Sequence, residues 1–182
     1  AERLWDEAVR DGELHALVNN AGAYTPCPLL ESSDEEWLRV WEDTMALNLR
    51  APMVLTRLAA KRFVAQGGGR IVNVASRVGF RGEAGAAAYA ASKAALINLT
   101  RSLAVELAPR GVLLFGLAPG WVDTAMARTG MQERLPSILE TIPLGRMATP
   151  EDCANVARFL LSGEADYLSG QTIDINGASY FH

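Results

Sequence analysis

Two side chains in this sequence have the types and spacing needed to move a proton to or from a carbonyl oxygen. Tyr89 and Lys93 are four residues apart within 84–108. We predict that this stretch is one helix, so that both side chains leave the same face. Because an ammonium group favours a nearby phenolate, we expect Lys93 to lower the Tyr89 pKa from its usual value of about 10. Such a tyrosine can donate a proton to an alkoxide or take one from an alcohol.

Ser76 adds a hydroxyl at the place where a substrate would be expected. It follows an apolar run, 71–75, that predicts a buried strand, and open α/β sheets bind ligands at the carboxyl ends of their strands. A tyrosine–lysine pair alone is more typical of a surface lysine beside a half-buried tyrosine. The motifs elsewhere in the chain therefore decide between the two interpretations.

Three further motifs follow the same order along the chain. Asn19-Asn20-Ala21-Gly22 comes after the apolar run 14–18, Asn48 lies in the next predicted helix, and Pro119-Gly120-Trp121-Val122-Asp123-Thr124 follows a third apolar run. In this order and at these spacings, the set resembles the short-chain dehydrogenase/reductase family over nearly the whole chain. The resemblance is specific for the family and not for a substrate.

The resemblance implies a role for each catalytic residue. Tyr89 matches the acid/base, Lys93 matches the lysine that lowers its pKa and holds the nicotinamide ribose, and Ser76 matches the serine that bonds the substrate oxygen. Asn48 matches the asparagine that positions a water between the lysine and solvent. Pro52, four residues on, has no N–H for the Asn48 carbonyl, which is left free for such a water. The alternative is a proline kink without a chemical role.

The resemblance also implies residues that bind NAD or NADP. One segment lies along the adenosine side of the cofactor, and a second closes over its nicotinamide end. Alone, each segment would be interpreted as an ordinary turn. The implied cofactor-binding residues are Asn19, Ala21, Gly22, Tyr89, Lys93, Pro119, Gly120, Val122 and Thr124.

Apolar runs alternate with helical patterns along the chain. Strands are predicted at 14–19, 70–75, 112–118 and 171–175, and helices at 2–11, 34–66 (interrupted near Pro52), 84–108, 121–141 (irregular) and 150–161. Strands that are apolar throughout and alternate with helices favour a parallel sheet covered on both faces. The predicted fold class is therefore α/β, the C-terminal portion of a doubly wound, three-layer Rossmann-type domain that spans residues 1–182.

The family's glycine-rich phosphate loop, which follows the first strand, has no counterpart before Asn19. The sequence opens in what we expect to be the third helix of the family domain. We therefore expect the domain to be incomplete at its N-terminus. The residue that selects NAD or NADP is expected in the same upstream part.

Bulk properties argue against several partners. A net charge of −4 and a pI near 5.2 leave no basic footprint for nucleic acid or an anionic membrane, and no apolar run is long enough to span a bilayer. Cys27 and Cys153 lie far apart and are interpreted as free thiols of a reducing compartment, with no metal implied. We expect a cytoplasmic protein.

The leading hypothesis is an NAD(P)-dependent oxidoreductase that interconverts a ketone and a secondary alcohol. The alternative is a truncated, non-catalytic relative that serves as an oligomer partner or scaffold. The apolar helix 84–108 and the family resemblance favour a homo-oligomer, a dimer or tetramer. Arg77 and Arg81, after Ser76, either meet an anionic substrate or are solvated loop residues.

Overall fold

Four parallel strands form the centre of the protein. A computed structural model describes residues 1–10, 12–125 and 135–182. The strands are β1 (Ala16–Asn19), β2 (Gly69–Val74), β3 (Val112–Pro119) and β4 (Thr172–Ile175), hydrogen-bonded in the order β1-β2-β3-β4. Because all four run in one direction, their carboxyl ends lie along the same edge of the sheet.

Helices connect the strands. They are α1 (Glu2–Ala8), α2 (Asp34–Met45), α3 (Ala51–Ala65), α4 (Ala87–Leu107), α5 (Leu135–Glu140) and α6 (Pro150–Leu161), with a π-helical turn at Ala46–Arg50 and 3₁₀ turns at Arg77–Gly79, Ala108–Arg110 and Asp166–Leu168. The Ser33 side chain caps α2 by accepting the Glu36 N–H, and Thr149 forms a capping box with Asp152 at α6. These local signals explain why both helices begin where the sequence predicts.

Two apolar clusters cover the two faces of the sheet. On one face, Phe63 of α3 and Ala104 of α4 pack with Ile71 and Leu114. On the other face, Leu160 of α6 packs with a second cluster that includes Val72, Phe115 and Leu117. Helices therefore lie on both faces, and the predicted three-layer α/β class is confirmed.

The interruption predicted near Pro52 is a change of helix type rather than a break. Ala51 donates its N–H to the Ala46 carbonyl, five residues back, and α3 then begins with Pro52 in its first turn. Pro52 has no N–H to donate back to this turn, and the change of helix type lies where that donor is missing. Single π-helical turns are often found at functional sites.

Two predicted segments extend beyond the described residues. The helix predicted at 2–11 ends at Ala8, and residue 11 is outside the described part. Of the irregular helical stretch at 121–141, residues 126–134 are outside it, and 135–140 are helical. In the ranges that are described, no helix combines the length and apolar character needed to cross a bilayer.

Candidate active site

The predicted catalytic and cofactor-binding segments meet at the carboxyl edge of the sheet. Asn19 is the last residue of β1, Ser76 follows β2, and Gly120 follows β3. These strands are neighbours, and Asn19 is in register with Asn73. Segments that are far apart in the sequence are therefore brought together by the topology.

Helix α4 brings Tyr89 and Lys93 to this edge, as the i, i+4 spacing predicts. The Lys93 Nζ donates a 2.8 Å hydrogen bond to the Val74 carbonyl at the end of β2 and lies over the Tyr89 ring, 5.6 Å from its centroid. The Tyr89 side chain is hydrogen-bonded to that of Ser76. A hydroxyl, a phenol and an ammonium group thus form one cluster.

The electrostatics of the cluster differ from the expectation in one respect. Burial raises the Tyr89 pKa above its ordinary value, Glu83 and Tyr24 raise it further, and only the Ser76 hydrogen bond lowers it. The prediction that Lys93 lowers the Tyr89 pKa is wrong for this reason. Burial also lowers the Lys93 pKa, to about 8, because the residue is only 3% exposed. At neutral pH the phenol is therefore protonated and able to donate a proton.

Asn48, which is fully buried in the π-helical turn, holds the loop that follows β1. Its Nδ2 donates to the Ala23 carbonyl and its Oδ1 accepts the Ala23 N–H, both at 2.9 Å. Nδ2 also donates to the Ser92 Oγ at 3.3 Å, and the Ser92 hydroxyl donates to the Tyr89 carbonyl at 2.7 Å. Sequence reasoning missed Ser92, although its position between the tyrosine and the lysine was a usable signal.

Gly22 lies against the buried ammonium. A Cβ at this position would be 3.3 Å from the Lys93 Nζ and 3.4 Å from the Asn48 Oδ1. Such contacts are closer than most side chains allow, so a side chain at position 22 would press on the ammonium and on Asn48.

The turn that carries Ser76 packs directly on α4. The Ser76 Oγ accepts the Val78 N–H at 3.4 Å. A Cβ on Gly79 would lie 2.7 Å from the Ile97 Cδ1 and 3.0 Å from the Ala94 backbone nitrogen. Only glycine permits this approach, which sets the distance between the Ser76 turn and the helix of Tyr89 and Lys93.

The segment after β3 is tied to the rest of the edge by backbone contacts. Pro119 is paired with Ile175 of β4, and Val122 forms a parallel bridge with Ala148. A Cβ on Gly120 would come within 2.9 Å of the Asn176 Cβ. Thr124 is exposed and lies at the end of the segment, just before the residues that are not described.

Asn19 belongs to a buried polar chain rather than to an open surface. Its Nδ2 donates to the Asn73 Oδ1 at 2.8 Å and to the Thr56 Oγ1 at 3.1 Å, and the Asn73 Nδ2 donates to the Thr100 Oγ1 at 2.9 Å. This chain of hydrogen bonds joins β1 and β2 to α3 and α4. Ala21, by contrast, is exposed. A polar residue inside an apolar strand, such as Asn73, was the signal for a network that sequence reasoning missed.

Neither interpretation of Arg77 was right. Arg77 is only 6% exposed, and its Nη1 donates to the Ser179 Oγ at 3.0 Å. It is therefore neither solvated nor available to a substrate. Arg81 is exposed, with its guanidinium 6.0 Å from the centroid of the Tyr180 ring.

The chain is similar in sequence and in fold to known dehydrogenases and reductases. A family model described as enoyl-(acyl carrier protein) reductase matches residues 1–178. The 3-oxoacyl-[acyl-carrier-protein] reductase FabG of Aquifex aeolicus is 40% identical over 168 residues, which cover 90% of this chain and 64% of that protein. The Escherichia coli FabG is 38% identical over 169 residues, which cover 93% and 68%. This chain thus spans about two thirds of the length of these relatives.

Solved structures share the same architecture. A protein from Beutenbergia cavernae assigned as an NAD(P)-dependent gluconate 5-dehydrogenase, crystallised with NADP at low occupancy, superimposes with a TM-score of 0.90 at 41% identity. That match covers 97% of this chain and 70% of the other. A gluconate 5-dehydrogenase from Burkholderia cenocepacia, in complex with NADP and tartrate, gives 0.87 at 29% identity, over 96% and 68%.

Proposed function

Because the chain belongs to the short-chain dehydrogenase/reductase family, we propose that the protein interconverts a ketone and a secondary alcohol with NAD or NADP. The observation that supports this most strongly is the convergence of the Ser76 hydroxyl, the Tyr89 phenol and the Lys93 ammonium at the carboxyl edge of the sheet. Each group has a role in reducing a carbonyl, and other parts of the chain hold all three in place.

The residues present fit a dinucleotide. The Lys93 ammonium gives one of its three donors to the Val74 carbonyl, and the others suit the hydroxyl groups of a ribose beside Gly22. Lys93 would hold that ribose together with Tyr89, and the two loop segments would hold the rest of the cofactor. These segments contribute Asn19, Ala21 and Gly22 on one side and Pro119, Gly120, Val122 and Thr124 on the other. When bound, the nicotinamide supplies or accepts the hydride.

The protein's own groups handle the proton and the charge. Ser76 donates a hydrogen bond to the substrate oxygen and so stabilises the negative charge that develops there. Tyr89, which keeps its proton at neutral pH because of burial, transfers it to that oxygen. Lys93, with a pKa of about 8, then passes a proton to the resulting phenolate. A water on the Asn48 carbonyl then returns a proton from solvent.

The relatives suggest which carbonyl compounds to test. FabG proteins are named for 3-oxoacyl thioesters of acyl carrier protein, and the structural neighbours for gluconate. Because Arg77 is buried, an anionic substrate would have to meet another cation at this edge, and Arg81 is exposed on the same loop. We propose a small ketone or 3-oxoacyl substrate.

We also propose that the protein is a homo-oligomer. Large apolar side chains are exposed on α2, the π-helical turn, α3 and α4. Leu38 is 61% exposed and Val105 81%, and Leu47 and Met53 are also exposed. A contiguous apolar patch is typical of an interface, and the exposed apolar side chains of these helices support one with a second copy.

Steady-state reduction assays on the full-length protein test the function. NADH and NADPH oxidation are followed with a 3-oxoacyl thioester and with 5-ketogluconate, each as substrate. Turnover that falls about 100-fold or more in both Tyr89→Phe and Ser76→Ala supports the proposal. Undiminished turnover in Tyr89→Phe, on a substrate that the parent reduces, contradicts it.

A further inference from the structure

Arg77 connects three loops of the active-site edge. It follows Ser76 directly after β2, its guanidinium lies 5.5 Å from the centroid of the Trp121 ring after β3, and its Nη1 donates to Ser179 after β4. The stem of the side chain passes beside Gly120, where a Cβ would lie 3.7 Å from the Arg77 Cδ. One side chain therefore contacts the segments that follow three neighbouring strands.

The placement of a guanidinium in this interior requires an explanation. Burial lowers the Arg77 pKa, because desolvation disfavours the charged form, and Arg81 lowers it further, whereas Glu83 raises it. An apolar side chain of similar length would fill the same space without this penalty. Unlike an apolar side chain, a planar guanidinium with five donors bonds and stacks in a defined orientation.

The Ser76 turn is restrained on its other side as well. Gly79 presses the turn against the α4 backbone at Ala94, and Ser76 meets Tyr89 of the same helix. On the side that faces away from α4, Arg77 holds the turn through Ser179 and Trp121. The Ser76 turn is therefore restrained by Gly79 on one side and by Arg77 on the other.

We propose that Arg77 is a positioning residue for Ser76. It fixes the turn relative to the segments after β3 and β4, so that the Ser76 hydroxyl stays against Tyr89 and the substrate oxygen. This inference rests on the proposed function, in which Ser76 bonds the substrate oxygen. Arg77 acts through Ser76 and does not itself touch the substrate.

A double-mutant cycle tests this route of action. Arg77→Met should lower kcat at least tenfold, while the KM for the dinucleotide stays within threefold. In the Ser76→Ala background the same substitution should change kcat by less than threefold, because the group that it positions is already gone. Arg110→Met, an exposed arginine just before β3 and so at the opposite edge of the sheet, is the matched control and should resemble the parent. Equal losses in both backgrounds would overturn the proposal.

Amide hydrogen exchange tests the geometry without using activity. The Val78 N–H bonds to the Ser76 Oγ and the Gly79 N–H to the Ser76 carbonyl. We expect both to exchange at least tenfold faster in Arg77→Met and to be unchanged in Arg110→Met. Unchanged exchange in Arg77→Met would overturn the inference even if the parent reduces ketones. If the parent reduces none of the tested ketones, the proposed function fails while the exchange result still decides the role of Arg77.

Ser179→Ala covers the case in which Arg77→Met does not fold. This variant removes only the acceptor of the Arg77 hydrogen bond and keeps the buried guanidinium. It should accelerate exchange at Val78 by at least threefold and lower kcat in the same Ser76-dependent way. Parental exchange and parental kcat in Ser179→Ala would contradict the proposal.

Discussion

Asn48 and Ala23 exchange two hydrogen bonds of 2.9 Å, one from the asparagine amide to the Ala23 carbonyl and one from the Ala23 N–H to the Asn48 Oδ1. The pair joins the π-helical turn to the loop that follows β1. Because Gly22 precedes Ala23, these two hydrogen bonds also hold the glycine against the Lys93 ammonium. A side chain outside the reacting cluster thus determines the shape of the proposed ribose site.

Replacing Asn48 should lower both the free energy of unfolding and the affinity for dinucleotide. Asn48→Ala leaves the Ala23 peptide group and the Ser92 hydroxyl without these partners, so we expect the free energy of unfolding to fall by about 3 kcal/mol. The affinity for dinucleotide should fall as well, since the loop is released. Urea denaturation and fluorescence titration measure the two effects. Asn98→Ala, an exposed asparagine on α4, should change neither.

Tyr89 should be indispensable for turnover and dispensable for folding. Tyr89→Phe keeps the ring and its edge contact with Tyr24, at a 5.2 Å centroid distance, and removes only the hydroxyl. We expect kcat to fall by a factor of about 10²–10⁴, the usual contribution of a positioned acid, with circular dichroism unchanged. The control is Tyr167→Phe, which alters a fully exposed ring and should leave kcat at the parental value.

The buried lysine should make stability depend on pH. An unfolded lysine has its pKa near 10.5 and folded Lys93 near 8, so between these values the unfolded chain binds more protons. The free energy of unfolding should therefore rise with pH above 8, and it should lose this contribution as the pH falls back toward 8. We expect the parent to gain about 2 kcal/mol relative to Lys93→Met between pH 8 and 10.

Urea denaturation of both proteins at pH 8 and pH 10 measures this gain. The comparison with Lys93→Met removes the contributions that the two proteins share. These include the raised pKa values of Tyr89 and Cys153, which act in the opposite direction at alkaline pH. A constant difference in stability between the two proteins would show that Lys93 is not desolvated in the folded state.

The contact between the Ser76 turn and α4 leaves no room for a side chain at Gly79. In Gly79→Ala the new Cβ would lie 3.0 Å or less from atoms of Lys93, Ala94 and Ile97. We expect a loss of about 1–3 kcal/mol in stability, as in other overpacked sites, and a lower kcat because Ser76 is displaced. Gly82→Ala, on the same loop, meets nothing within 4 Å and is the matched control. Thermal unfolding and kcat that are the same in both variants would contradict this account.

Oligomerisation should depend on Val105. The Val105 side chain is 81% exposed on α4, whereas Leu103 of the same helix packs against the core. Val105→Asp should therefore yield smaller species in light scattering without loss of helical signal. Tyr167→Asp introduces the same charge at another exposed position and should leave the particle mass unchanged. A parental protein that is already monomeric at micromolar concentration would contradict the proposed interface.

Local patterns in the sequence predicted most of the elements and the centre of the candidate site. Continuous apolar runs identified β2 and β3, the caps at Ser33 and Thr149 identified helix starts, and a four-residue spacing placed Tyr89 and Lys93 on one face. All these features depend on neighbours within about one helical turn or one strand. A linear sequence displays such relationships directly.

Only the tertiary structure decided which distant residues hold the site together and in which direction the Tyr89 pKa shifts. Arg77 meets Ser179 across a separation of 102 residues, and Asn48 meets Ala23 across 25. Partners that distant depend on how the layers pack. The sign of the Tyr89 pKa shift was also decided there, because desolvation by surrounding chain outweighs the hydrogen bond from Ser76. Burial belongs to the folded surroundings of a residue, and so it could not be obtained from the tyrosine–lysine spacing.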